Sequence, residues 1–412
     1  MADSRLSCDV AVVGGGLVGL GAAMALAARG DLRVAVLEAE AALAAHQSGH
    51  NSGVIHSGLY YRPRSLKATL CVAGREALYR FCAEESIPHR RCGKLVVATV
   101  GEELAALDEL ERRGRANALT GLRRLEGEAI REIEPGAAGL AALWVPETGI
   151  VDYPAVARAY ARRVEASGGR VLTDARLLRV GRDGSGPRGG LRLETSRGAA
   201  ACALLVNCAG LQADRVARLC GSRPPARIVP FRGEYWELAA DARDQVRGLI
   251  YPVPDARFPF LGVHLTRTVD GRVEAGPNAV LAWRREGYRR GSFAPRDALE
   301  ILTWPGFWRF AGRHWRTGLR ETWRAAVPGV LARDLRRLVP ALTCADLRRG
   351  GSGVRAMELD REGRLIDDFH ILAEGRAVHV LNAPSPAATA SIAIGERIAE
   401  AAVAALREAG PS

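Results

Sequence analysis

Gly14, Gly16 and Gly19 stand in the spacing Gly-x-Gly-x-x-Gly, between an apolar strand expected at residues 9–13 and an alanine-rich helix expected at 20–29. A second strand is expected at 33–38. No other feature restricts the fold as much, because a βαβ unit with glycines at its first strand-to-helix turn is the frame of a dinucleotide site. Gly14 permits the tight turn, with Gly15 inside it. Gly16 lets the backbone approach a pyrophosphate, and Gly19 allows close helix packing while the helix N-terminus faces the phosphates. Glu38 ends the second strand 19 positions after Gly19, placed to accept the ribose hydroxyls.

Periodicity extends this frame along the chain. Helical stretches are expected at 66–85 and 102–113, and strands at 93–99, 170–180, 191–195 and 203–206. Residues 228–282 turn to alternating strands with many prolines, including 230–238 and 260–266, and 296–337 read as helical. A strand at 378–381 precedes a helix of small residues at 387–406. Two regions of dinucleotide-fold character thus flank a middle of strand character. The expected architecture is α/β, α+β overall: a Rossmann-like cofactor domain from 1–85, 145–225 and 345–412, with an inserted antiparallel-sheet substrate domain from 86–144 and 226–344. The turn Asn207-Cys208-Ala209-Gly210 resembles the second adenine-side contact of FAD-binding folds, which favours FAD over NAD. Leu177 matches by pattern an apolar position that touches adenine in related flavoproteins; an ordinary core leucine is the plainer reading.

The chain has 412 residues, 48% of them hydrophobic, enough for two domains with a sizeable core. No apolar run is long enough to span a membrane, and the first strand follows Met1 closely, so no leader peptide and a cytoplasmic location are expected. The eight cysteines are scattered without a Cys-x-x-Cys pair. Neither a metal site nor a disulfide framework is expected; they read as small buried apolar residues. The net charge of +12 comes almost wholly from arginines spread along the chain among acidic residues, which argues against a nucleic-acid surface. Only Lys67 and Lys94 are lysines, so those two positions hint at a need for a compact ammonium.

The run from His46 to Tyr61, His-Gln-Ser-Gly-His-Asn-Ser-Gly-Val-Ile-His-Ser-Gly-Leu-Tyr-Tyr, is too rich in His, Ser, Gly and Tyr for apolar burial to explain. It resembles the signature of the L-2-hydroxyglutarate oxidase/dehydrogenase family, a branch of the D-amino-acid-oxidase-like flavoproteins. The similarity continues through Gly93-Lys94-Leu95, Thr148–Tyr153, Val229–Tyr235, Gly276–Val280, Gly353–Ala356 and Asn382–Thr389, and spans essentially the whole chain.

The resemblance implies oxidation of L-2-hydroxyglutarate, a 2-hydroxy dicarboxylate, to 2-oxoglutarate, with hydride passing from C2 to flavin N5 and electrons going on to a quinone or to oxygen. Such chemistry needs a base for the hydroxyl proton, cations for two carboxylates and positive potential beside the reduced flavin. His56 and His264 are the candidate bases, and the choice between them stays open. Arg355 matches the Gly-x-Arg element that clamps a carboxylate in amino-acid-oxidase relatives. Lys67 and Arg232 are candidates for the distal carboxylate, with Tyr60 or Tyr61 capping it. The cofactor contacts implied by the resemblance are Gln47, Ser48, His50, Asn51, Ser52, Gly53 and Val54, then Ala209 and Gly210, and finally Ser385, Pro386, Ala387 and Ala388. His46 is expected to order the same loop. The last four should turn backbone N–H groups and a helix N-terminus to the flavin pyrimidine edge. No cysteine lies near that segment in sequence, so non-covalent FAD is expected, with histidyl attachment left open.

Tryptophans and arginines interleave over 304–323, a composition suited to peripheral contact with a membrane interface. A helix packing on its own domain is the favoured alternative. Two competing functions remain: another oxidase of the same fold, acting on an amino acid or glycerol 3-phosphate, and a nucleic-acid-binding flavoprotein, against which the scattered arginines count.

Overall fold

The computed structural model describes residues 6–183, 189–254 and 262–409. Its first strand, Leu6–Val13, ends in the apolar run Val10–Val13, buried on both faces, which suits the middle of a parallel sheet. It pairs in parallel with Val34–Leu37 on one side and Gly198–Asn207 on the other; Arg170–Leu172 and Ala377–Asn382 extend the parallel region outward. An antiparallel edge, Leu177–Asp183 with Gly190–Thr195, completes an eight-stranded sheet together with His370–Glu374.

The helix after the glycine turn is Leu17–Ala27, three residues earlier than expected and starting directly at Gly16. It is crossed by the last helix, Ser391–Ala409, at a point where two glycines meet. A Cβ on Gly395 would lie 2.4 Å from the Gly21 carbonyl carbon, and one on Gly21 would lie 2.6 Å from the Ser391 carbonyl oxygen. That last helix begins at Ser391 and not at 387, because residues 384–390 form a turn of their own, with Ala387 donating to the Pro384 carbonyl and Ala390 to that of Pro386. Leu20, Leu26, Val36, Tyr160, Ile394 and Ile398 fill the core beneath.

A second sheet of nine strands stands over the first. From its edge it runs through Arg227–Leu238, Val273–Gly276, His264–Arg267, Leu249–Pro252, Lys94–Ala98 and Ala141–Val145. It is antiparallel except where Leu249–Pro252 meets Lys94–Ala98 in parallel, so the expected all-antiparallel sheet is mixed at its centre. Leu347–Leu359 pairs with Arg227–Leu238 along its length. A boundary at 344/345 therefore cuts ahead of a strand that is hydrogen-bonded into this second sheet. His264 opens the strand His264–Arg267; of the strand expected at 260–266, residues 260 and 261 lie outside the described residues and the described part is extended only from His264.

The helical region expected at 296–337 is three helices, Pro295–Leu302, Pro305–Ala326 and Pro328–Arg336. Each starts with a proline, which has no N–H to lose in the first turn and cannot continue the helix before it. In Pro305–Ala326, Phe307 and Phe310 are buried against Val229, Phe231 and Leu359, and Trp304 just before it is buried too. The opposite face carries Trp308, Trp315, Leu319 and Trp323, all more than half exposed. The helix both packs on its own domain and leaves an aromatic face uncovered. No described helix is long and apolar enough to cross a membrane.

Of the cysteines expected to be buried, Cys8, Cys71, Cys82 and Cys202 are. Cys92, Cys208 and Cys220 are half-buried, and Cys344 is exposed.

Candidate active site

One continuous cavity of about 1740 Å³ runs from the glycine turn to the second sheet. That exceeds the roughly 300–1,000 Å³ of an ordinary small-ligand pocket, leaving room for a dinucleotide and a substrate together. At one end Gly14 takes φ +114°, and a Cβ there would sit 2.4 Å from the Cys208 carbonyl oxygen, so only glycine fits this turn. A Cβ on Gly19 would meet the Gly14 carbonyl oxygen at 2.1 Å. Gly16 differs: its nearest neighbour would be the Ser48 hydroxyl at 3.0 Å, so its missing side chain opens the cavity side of the turn. The helix beginning at Leu17 has no side-chain cap at Gly16, and the Leu17 N–H donates to Ser48 Oγ at 2.9 Å. An uncapped helix start facing a cavity is a place for phosphate.

The buried Glu38 carboxylate accepts from the N–H of Gly15 at 2.6 Å and of Glu40 at 2.8 Å, and it lines the cavity. Leu177, Ala209 and Gly210 line the same end. Asn207 shapes the adjoining turn, donating to the Ala213 carbonyl at 2.8 Å and accepting from the Ala209 N–H. Glu40, His46 and Glu286 bring three ligand-type groups together near here, but Arg176 holds one carboxylate at 2.6 Å and Gln212 the other at 2.8 Å.

The loop from His46 to His56 crosses the middle of the cavity. Gln47, Ser48, His50, Asn51, Ser52 and Val54 line it; Gly15 and Gly53 do not. Much of the loop's polarity orders the loop. Asn51 donates to the carbonyls of Gln47 and Ser48 and accepts from Gly53, and Gln47 accepts from the Ala356 N–H of the second sheet. His46 and His50 both stack on Tyr288, and His50 Nδ1 lies 3.0 Å from the Ser352 carbonyl. Ser385, Pro386, Ala387 and Ala388 form the facing wall.

At the far end the second sheet turns one face to the cavity. Register puts Tyr251 opposite Val96, two residues beyond Lys94 on the same face, and pairs Ile250 with Leu265, so His264 faces the same way as Tyr251. Tyr251 stacks on His264 with ring centroids 4.0 Å apart. Arg355 pairs with Phe231 in the neighbouring strand. Gly233 leaves space for its guanidinium: a Cβ there would lie 3.4 Å from Nη2.

The two histidines are held differently. His264 Nδ1 lies 2.8 Å from the Gly262 carbonyl, which can only accept, so Nδ1 carries the proton and Nε2 keeps a lone pair. Burial, with Arg355 and Lys94 nearby, brings its pKa down to about 4. His56 is anchored at its backbone, donating its N–H to Thr389 Oγ1 at 2.9 Å; its Nδ1 is buried without a partner and its Nε2 is 3.4 Å from Ser385 Oγ. Burial, then the charges of Lys94 and His264, pushes His56 down to about 3. The Cys71 thiol sits 3.4 Å from the His56 carbonyl, so a cysteine does approach this region in space; burial pushes it up to about 12, which keeps it protonated.

Of the other expected substrate groups, Tyr60, Tyr61 and Lys67 line the cavity. Lys67 Nζ is 2.8 Å from Asp367, and Arg232, not among the lining residues, pairs with Glu234 at 3.0 Å. Lys94, Tyr235 and Tyr251 were not expected at the site. Lys94 Nζ lies 4.1 Å from the Tyr60 ring centroid and 5.0 Å from that of Tyr251, and burial lowers its pKa to about 7. Cation–π contacts of ~0.5–2 kcal/mol offset only part of the several kcal/mol needed to bury an ion. The scarcity of lysine and the Gly93-Lys94-Leu95 motif were the sequence signals for this position.

A family profile described as FAD dependent oxidoreductase matches residues 9–401. The chain belongs to that family. Its flavin is FAD, and the glycine turn, the uncapped helix start and Glu38 are the residues that fit the dinucleotide half. Among members of the family, the chain is 46% identical to the L-2-hydroxyglutarate dehydrogenase of Indibacter alkaliphilus over 95% of this chain and 98% of that one. It is 44% identical to the mitochondrial L-2-hydroxyglutarate dehydrogenase of Homo sapiens, over 96% of this chain and 89% of that one. Among solved structures, L-alpha-glycerophosphate oxidase from Mycoplasma pneumoniae with FAD bound superposes with TM-score 0.78 at 21% identity, covering 97% and 95% of the two chains. Glycine oxidase from Geobacillus kaustophilus gives 0.70 at 20% identity, covering 97% and 95%. These two share the fold of the FAD dependent oxidoreductases.

Proposed function

We propose that this FAD dependent oxidoreductase converts L-2-hydroxyglutarate to 2-oxoglutarate. The observation that carries the reading is that His264 and Arg355 line one cavity, with the guanidinium near enough for its charge to act on a neutral imidazole. The high identity to proteins named for this activity supports the same substrate.

Bound FAD supplies the two-electron oxidant that takes the hydride from C2. Arg355 holds the C1 carboxylate, a charge-assisted contact for which a planar fork is suited. This sets the C2 hydroxyl against His264, whose Nε2 takes the hydroxyl proton as the carbonyl forms. Tyr251 fixes the imidazole plane and the Gly262 carbonyl fixes its tautomer. His56, anchored through its backbone to Thr389, shapes the wall. N–H groups of the 384–390 turn that are not used within it would offer donors to the negative charge of a reduced flavin.

Anaerobic mixing with each enantiomer of 2-hydroxyglutarate tests the reading. The oxidised-flavin absorbance should bleach with the L form. Bleaching with an amino acid or glycerol 3-phosphate, and none with L-2-hydroxyglutarate, overturns it.

For the acceptor, we infer that the exposed face of Trp308, Trp315, Leu319 and Trp323 rests on an anionic lipid surface, where a quinone collects the electrons. Arg309, Arg316 and Arg320 flank this face on the helix, and the chain carries a net +12. Co-sedimentation with anionic vesicles, lost in Trp315→Ser/Trp323→Ser, and reoxidation by a soluble quinone faster than by oxygen are the expected results. Reoxidation by oxygen alone, with no vesicle binding, overturns this part.

A further inference from the structure

A dicarboxylate brings a second negative charge that Arg355, engaged with the first, does not neutralise. The two cations expected to meet it are already countered, Lys67 by Asp367 and Arg232 by Glu234. Among the described residues Lys94 has neither an ion-pair nor a hydrogen-bond partner, although it is only 1% exposed. Its ammonium stands between the rings of Tyr60 and Tyr251, and both rings line the cavity. The same charge reaches His56 and His264, so it acts on the place where the substrate is held. In a chain with one other lysine, Lys67, the buried position beside the two tyrosine rings takes the compact cation.

Resting on the functional reading above, we propose that Lys94 is the specificity-determining cation for the second carboxylate of the substrate, which docks on the wall made by Tyr60 and Tyr251. It is a positioning residue, acting through that wall in a medium where charge is weakly screened. It takes no proton from the reacting carbon or oxygen. The class of ligand it selects is a five-carbon dicarboxylate over a monocarboxylate of similar length.

The test uses FAD-loaded enzyme and two unreactive ligands, glutarate and butyrate, whose binding is read from the perturbed flavin absorbance. In Lys94→Met the dissociation constant for glutarate should rise by about tenfold or more, as for loss of one weakly screened positive charge behind the wall, while that for butyrate changes by less than about threefold. With L-2-hydroxyglutarate the loss should fall on KM and spare kcat. Equal weakening of both ligands, an unchanged glutarate-to-butyrate ratio, or a loss confined to kcat overturns the proposal. A wild-type flavin that L-2-hydroxyglutarate fails to reduce sinks the functional reading instead, and leaves the ligand ratio to judge Lys94.

Should Lys94→Met not retain FAD, the pH dependence of the same ratio decides. The titratable groups facing Lys94 are His56, His264, Cys71, Tyr60 and Tyr251. Burial holds the first two neutral and the others protonated through pH 6–9. Glu274, which burial raises to about 7 beside Tyr251, is replaced by Gln to silence it. In Glu274→Gln holoenzyme the advantage of glutarate should fall about fivefold or more from pH 6 to 9 as Lys94 loses its charge. A flat ratio overturns the proposal.

Discussion

Tyr251 lies against His264 with ring centroids 4.0 Å apart and planes 24° from parallel. Together with the Gly262 carbonyl on Nδ1, this leaves one rotamer and one tautomer with a free lone pair on Nε2. His264→Asn should therefore slow flavin reduction by about 10²–10⁴-fold with FAD retained, the usual contribution of a positioned base. His56→Asn should cost less. Stopped-flow reduction at saturating substrate measures both, and the reverse ranking would reassign the base.

The pH profile of that reduction follows from the sign of the shift. His264 works as a base only when neutral, and burial lowers its pKa to about 4, so its contribution is present above that value and is lost as pH falls through it. The rate should hold between pH 8 and about 5, where an unperturbed histidine of about 6.5 would already have lost most activity. An acid limb centred near the ordinary histidine value would contradict this assignment.

Arg355→Lys keeps the charge and gives up the fork, whose hydrogen bonds to a carboxylate contribute about 1.5–3 kcal/mol each. A rise of roughly tenfold to a hundredfold in KM for L-2-hydroxyglutarate is expected, with FAD content unchanged. Steady-state kinetics on the loaded enzyme checks it.

Two neighbouring glycines should fail in different ways. Gly14→Ala forces a Cβ into the Cys208 carbonyl at φ +114°, so soluble protein and thermal stability should both fall, by at least the ~1–3 kcal/mol of a strained backbone position. Gly16→Ala meets only the Ser48 hydroxyl, so the apoprotein should melt nearly as the wild type does while FAD binds more weakly. Thermal melts of both apoproteins, with FAD titrations, separate the two outcomes.

Arg285 and Asp214 form a buried ion pair between the segment following Asn207 and the second sheet's connecting loop, with Arg285 also donating to the Leu211 carbonyl at 2.6 Å. Asp214→Ala should cost less than the about 3–5 kcal/mol of a wholly stranded charge, because Glu300 stays 3.0 Å from the same guanidinium. Burial raises the Asp214 carboxyl, but its hydrogen bond and charge contact with Arg285 outweigh this and hold it below the ordinary aspartate range. The stabilisation is thus present above pH ~4 and is lost as pH falls through the lowered value. Chemical denaturation of variant and wild type at pH 7 and at about pH 2 measures both effects.

The cofactor half was legible because its signals are local. Gly14, Gly16, Gly19 and Glu38 sit within one βαβ unit, where spacing encodes geometry directly. Arg355 and His264 were found through the resemblance, as parts of motifs. Lys94 and Tyr251 were not placed, since they meet only through the register of strands far apart in sequence, and a single strand does not state its neighbour. For the same reason the strand Leu347–Leu359 looked like part of the cofactor region: its partner, Arg227–Leu238, lies more than a hundred residues away. Helix starts at 295, 305 and 328 were written in prolines, yet read as one long helical run.

The crossing of Gly21 and Gly395 carries a consequence for biosynthesis. The first helix, Leu17–Ala27, is made long before the surface that covers it, Ser391–Ala409, and before the 384–390 wall of the cavity. A nascent chain therefore cannot retain its flavin until residues 384–395 have been made, and a premature stop shortly before residue 391 should be as damaging as one in the opening strand.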